Sequence, residues 1–149
     1  MTLTLFMIQL AATLFMTGLI WIVQIVHYPL LGQVGASFPE VHAEHMRTIG
    51  FVVIPVMLAE LGTAAINLVE RPAFVPPVAA WAGAVLVVVI WASTFAVQVP
   101  LHDALGHGLD PEVHQRLVDT NWIRTVLWSA RSALLCGLTL DALRTAELT

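Results

Sequence analysis

Apolar residues run almost unbroken from Leu3 to Val26, and the first charged side chain of the protein is Glu40. About 20 consecutive apolar residues suffice to cross the hydrocarbon of a bilayer. This stretch therefore predicts a membrane-spanning helix that closes at Tyr28-Pro29. It has no basic start and no Ala-x-Ala site, so it reads as a retained helix and not a cleaved leader. Three further apolar runs follow, giving spans at about 3–27, 49–69, 77–101 and 121–143. Prolines and charges mark the breaks: Pro29 and Pro39, then Glu70-Arg71-Pro72 with Pro76-Pro77, then the polar stretch from Asp103 to Asp119. The mixed segment from Phe38 to Thr48 predicts a short interfacial helix before the second span. Asp110-Pro111-Glu112 has the order of a helix start: a capping Asp, a proline in the first turn, then an acidic residue.

Composition agrees with the spans. Of 149 residues, 58% are hydrophobic and 11% charged, against about 25% charged in a soluble domain. The expected architecture is all-α, a four-helix transmembrane bundle forming one domain over residues 1–149. The net charge of −4, with no lysine and six arginines, argues against nucleic acid as a partner. The lone Cys136 supports neither a disulfide framework nor a thiolate cluster. No phosphate loop, nucleophile elbow or CxxC motif is present, which removes kinase, hydrolase and thiol-redox readings.

Four spans must alternate in direction. His27, closing the first, His42 and His45, leading into the second, His102, closing the third, and His107 and His114, leading into the fourth, then all fall at one end of the bundle. Plain interfacial histidines are one explanation. The other is a metal site, because His42 and His45 at i,i+3 share a helical face and imidazole is a common transition-metal ligand. His27, His42, His45 and His102 are the candidate ligands. His107, flanked by Gly106 and Gly108, is expected to be mobile, and His114 to face solvent.

Each span also carries a polar stripe, which lipid would not satisfy. Gln9, Thr13, Gln24 and His27 share a face of the first span; Glu60, Thr63 and Asn67 of the second; Trp91, Thr94, Gln98 and His102 of the third. On the fourth the stripe is Asn121, Arg124, Trp128 and Arg131. Glu60 and Arg131 sit at similar depth, and an isolated charge there is costly, so they are expected to pair. Their role is either a structural ion pair or catalysis. Arg124 is placed to bind an anionic or quinone-like oxygen, or else to pair with Asp119 or snorkel to the interface.

The run from Asn121 through Trp122, Ile123 and Arg124 to Trp128, together with His27-Tyr28-Pro29, resembles the small four-helix membrane proteins grouped with the fungal anthrone oxygenases. The resemblance implies four helices, roles for Asn121 and Arg124, and, in some members, oxidation of an aromatic polyketide with oxygen. The histidine cluster goes beyond that pattern.

Two functions follow as expectations. One is a membrane oxidoreductase or oxygenase acting on a lipid-soluble or aromatic substrate. In it Glu60, Arg124 and Asn121 are catalytic, Gln24, Gln98, Trp128 and Arg131 line the substrate space, and Glu44 or Glu60 moves protons. Its cofactor is a transition metal, with iron or copper suiting oxygen chemistry and zinc suiting hydrolysis. The other is a non-enzymatic carrier of metal or haem, with His27 and His102 as axial ligands, or a subunit of a larger complex. Membrane lipid and a hydrophobic small molecule are the expected partners, and self-association into a homo-oligomer stays open. The location expected is a bacterial inner membrane. Arg47 and Arg116 on the histidine side balance Arg71 and Arg144 on the other, so the positive-inside count gives no orientation.

Overall fold

A computed structural model describes residues 1–148. The described chain is built from helices, in the order α1 (Thr2–Ile22), a π-helical turn (Val23–His27), α2 (Tyr28–Leu31), a 3-10 turn (Gly35–Ser37), α3 (Phe38–Val69), α4 (Pro77–Ser93), a second π-helical turn (Thr94–Gln98), α5 (Val99–Leu105) and α6 (Pro111–Glu147). Continuous segments of this chain make four candidate spans: Thr2–Leu31, Gly35–Val69, Pro77–Leu105 and Pro111–Glu147. α1 packs beside α3 and α6, and α4 packs beside the same two. The spans therefore form a closed ring of four in which the first and third face each other across one diagonal, and the second and fourth across the other.

The segregation of polarity is that of a protein dissolved in lipid. Gln9, Gln24, Glu60, Asn67, Gln98, Asn121 and Arg131 are buried, while Phe51, Trp81, Phe95 and Val126 face outward. Hydrocarbon offers no hydrogen bonds, so polar groups turn to one another and apolar groups turn to the solvent.

The helices outrun the boundaries drawn from the sequence. Pro29 does not end the first span, which continues to Leu31. Pro100 likewise lies inside the third span, which continues to Leu105. Each proline is the second residue after a π-helical turn. A proline lacks an N–H and its ring crowds the carbonyl four residues back, and a widened turn relieves that crowding without ending the helix. The segment from Phe38 to Thr48 is helical, but it forms the first turns of the 32-residue α3 and is not a separate interfacial helix. α6 starts at Pro111, ten residues before the apolar run, because the Asp110 carboxylate accepts hydrogen bonds from the backbone N–H groups of Glu112 and Val113 at 2.9 and 3.2 Å. Gly35 and Gly108 turn the chain between the first and second spans and between the third and fourth, with φ of 68° and 137°, values that side-chain-bearing residues seldom adopt.

Halfway through the bundle one polar knot ties all four spans. Arg131 Nε lies 3.3 Å from Glu60 Oε1, and the same carboxylate accepts from the Thr13 hydroxyl at 2.6 Å and from the Trp128 indole N–H at 2.9 Å. Arg131 Nη1 donates to the Gly83 carbonyl of the third span. Thr13, Glu60, Gly83 and Arg131 thus contribute one group from each span. Nearer the other end Asn67 donates to Gln9.

Candidate functional site

At the opposite end from the Glu70–Pro76 connection, side chains from all four spans meet. The first π-helical turn leads directly into Tyr28, which points inward and is 3% exposed. The second π-helical turn leads through Pro100 to His102, 6% exposed. Gly32 leaves room behind Tyr28: a Cβ there would lie 2.6 Å from His114 Cε1. His114 fills that space and its Nε2 donates to the Tyr28 carbonyl at 2.8 Å. The expectation that His114 faces solvent is thereby corrected; it is half-buried and fastens the end of the first span.

The polar groups form a directed chain. An arginine can only donate, and Arg124 Nη2 donates to the Tyr28 hydroxyl at 3.2 Å. Tyr28 Oη lies 3.0 Å from His102 Nε2, and His102 Nδ1 lies 3.2 Å from His42 Nε2. The assignment that uses every proton has Tyr28 donating to His102 Nε2 and His102 Nδ1–H donating to His42 Nε2. His42 is held from behind by Phe38, stacked at 5.4 Å. Behind Arg124, Asn121 Oδ1 accepts from Arg124 Nε at 2.9 Å, and Asn121 Nδ2 donates to Gln24 Oε1 at 2.7 Å. Gln24 is anchored in turn on the Val118 carbonyl at 3.1 Å.

His45 stands apart from this chain. Its ring centroid is 4.4 Å from that of His27 and 5.5 Å from that of His102. Its nitrogens make no hydrogen bond among the described residues, and neither does the buried Nε2 of His27. The four histidines singled out by sequence are therefore together, with His107 exposed and outside the group.

Convergence is not ligation. In the chain above His102 Nε2 accepts the Tyr28 proton and Nδ1 carries its own, so no lone pair is left for a metal. No group of three His, Cys, Asp or Glu side chains among the described residues is arranged to hold an ion. Haem fits no better, because the His45 ring packs against both His27 and His102 and fills the gap a macrocycle would need. The residues present do not fit either group in this arrangement.

Below the histidines lies a cavity of about 240 Å³. Its walls are apolar, with Met16, Ile20, Val53 and Met57 among them, and Trp128 closes its floor. Tyr28, His45, Gln98, His102 and Arg124 line its polar end. Ile54 and Phe95 line it too and are 55% and 57% exposed, so its mouth lies on the lipid-facing side between α3 and the third span. Gln98 donates to Thr120 at 2.9 Å, while its Oε1 is buried without a partner.

The sequence-derived site thus divides. Arg124, Gln98, Trp128, His45 and His102 line the cavity. Asn121 and His42 stand one hydrogen bond behind it, and Gln24 one further back, behind Asn121. Glu60 and Arg131 lie beneath the Trp128 floor, joined to it through the indole N–H. Glu44 lies on the outside, paired with Arg47 at 2.7 Å. Tyr28 was missed as a site residue. One signal could have found it: it is the chain's only tyrosine, set in an apolar run, and a buried hydroxyl requires a partner.

Comparison of the chain with protein-family models, with curated proteins and with solved structures gives no match.

Proposed function

We propose that this membrane protein takes a lipid-soluble, oxygen-bearing aromatic molecule from the bilayer into the cavity and acts on it as an oxidoreductase. One observation carries the reading: an apolar cavity, open toward lipid, ends at a His45 imidazole free of hydrogen bonds and beside the Arg124 guanidinium. A free imidazole at the polar end of an otherwise apolar pocket is the group proposed to take a proton from a bound molecule. Arg124 and Gln98 are placed to hold the molecule's oxygen, with Asn121 orienting Arg124. The resemblance of the Asn121-to-Trp128 run to the anthrone oxygenases favours oxygen, which partitions into bilayers, as the oxidant of the deprotonated substrate. The test is oxygen uptake by the detergent-purified protein given a hydrophobic phenol or anthrone. His45→Ala should abolish uptake above background while His107→Ala leaves it intact. No uptake with any such substrate would leave a binding protein in place of an enzyme.

A second reading, a resident transition metal, is favoured by the unpartnered His27 Nε2 beside His45. It requires His102 to give up Tyr28 or His42. Elemental analysis of protein purified without chelator tests it: stoichiometric iron, copper or zinc that is lost in His45→Ala would establish the metal.

A further inference from the structure

The buried core holds two guanidinium groups and one carboxylate. Arg131 has Glu60 at 3.3 Å. Arg124, 8% exposed, has no carboxylate partner: the ion pairs among the described residues are Arg47–Glu44, Arg131–Glu60 and Arg144–Asp141. Its neighbours Asn121 and Tyr28 are neutral groups, hydrogen-bonded to Nε and Nη2, and they leave Nη1 without a protein partner. The nearest titratable groups on the packed elements are His45 and His102 on the cavity, His42 and His27 behind them, and Tyr28; none of the histidines can carry negative charge. The carboxylates of this end do not reach Arg124: Glu44 is held by Arg47, and Asp119, exposed, accepts from Gln115 at 2.8 Å.

A guanidinium out of water is stable only when paired. It stays charged at any ordinary pH. It lines the polar end of a cavity whose remaining walls are apolar. We infer that the cavity's ligand is itself an anion, an apolar body carrying one oxyanion, either carboxylate or phenolate, that pairs with Arg124. This rests on the cavity reading above and deepens it: the ligand enters already ionised or ionises on binding, and the missing charge of the core is supplied by the ligand. The planar fork of the guanidinium, with Nη1 free, suits either a carboxylate or a single phenolate oxygen.

Matched probes test this by isothermal titration of the full chain in a non-ionic detergent. Naphthoate is set against its methyl ester, and an ionised dinitronaphtholate against its methyl ether. At least one anion should bind about tenfold or more tightly than its neutral partner, as expected for pairing a desolvated charge, and the two arms separate carboxylate from phenolate. Arg124→Gln should erase that preference while keeping the weaker binding of the neutral probes, which also reports that the variant is folded; Arg124→Lys should keep part of it. Equal binding of each anion and its neutral partner would overturn the inference and leave the cavity reading standing. So would a preference that survives in Arg124→Gln. No binding of any probe would overturn both. Tyr28 is the only tyrosine, so an ultraviolet tyrosinate band in the ligand-free protein would also overturn the inference, by showing that the chain supplies the negative charge itself.

Discussion

The Tyr28 hydroxyl stands 3.0 Å from His102 Nε2, joining the ends of the first and third spans across the diagonal of the bundle. His102 could not reach Tyr28 from a helix that stopped at Pro100. Both lie in turns of helix that continue through Pro29 and Pro100 after a π-helical turn.

Tyr28→Phe removes the hydroxyl and leaves Arg124 Nη2 and His102 Nε2 without their shared partner. Packing is nearly unchanged, so the fold should survive at a cost of about 1–3 kcal/mol. Ligand turnover should fall far more than stability does. Unfolding midpoint and oxygen uptake measured on the same preparation check this, and a variant with undiminished uptake would remove Tyr28 from the chemistry.

Glu60→Ala strands the Arg131 guanidinium and takes the acceptor from Trp128 and Thr13. A broken buried pair costs about 3–5 kcal/mol. The double variant Glu60→Ala with Arg131→Met should recover part of that loss, because no unpaired charge remains. Detergent-denaturation curves for the two single variants and the double give the coupling; additive losses would mean that the pair does not act as a unit.

Gly32→Ala sets a methyl group 2.6 Å from His114 Cε1. The ring must move and its bond to the Tyr28 carbonyl is lost, so a destabilisation of about 1–3 kcal/mol is expected. In a His114→Ala background the same change should cost little. Equal costs in the two backgrounds would show that the histidine does not depend on the glycine.

Gly50 lines the cavity, and a Cβ there would meet only Ile54 Cδ1 at 3.5 Å, an ordinary contact. Gly50→Phe should therefore fold while its ring fills the mouth. Ligand binding should fall at least about tenfold, the loss of roughly 1.4 kcal/mol, with little change in unfolding midpoint. Full affinity in this variant would place the entrance elsewhere.

The sequence by itself determined the solvent, the number of spans and the end at which the histidines gather. Those follow from the length of apolar runs and from alternation, which need no knowledge of packing. The Glu60–Arg131 pair was also legible, because equal depth and the cost of isolated charge leave two opposite groups little choice. The Asp110 cap was readable because its hydrogen bonds are local. Only the tertiary structure decided what the polar end does with its groups. Pro29 in sequence reads as a stop; whether a helix ends there or widens by one turn depends on the neighbours that receive the next residues, here Leu30 and the buried Leu31. His114 looked solvent-facing because nothing local shows that Gly32, 82 positions earlier, leaves a gap for its ring. The choice between ligating and hydrogen-bonded imidazoles was beyond the sequence for the same reason: it turns on ångström distances between side chains from different helices, and periodicity fixes only the face on which each side chain lies.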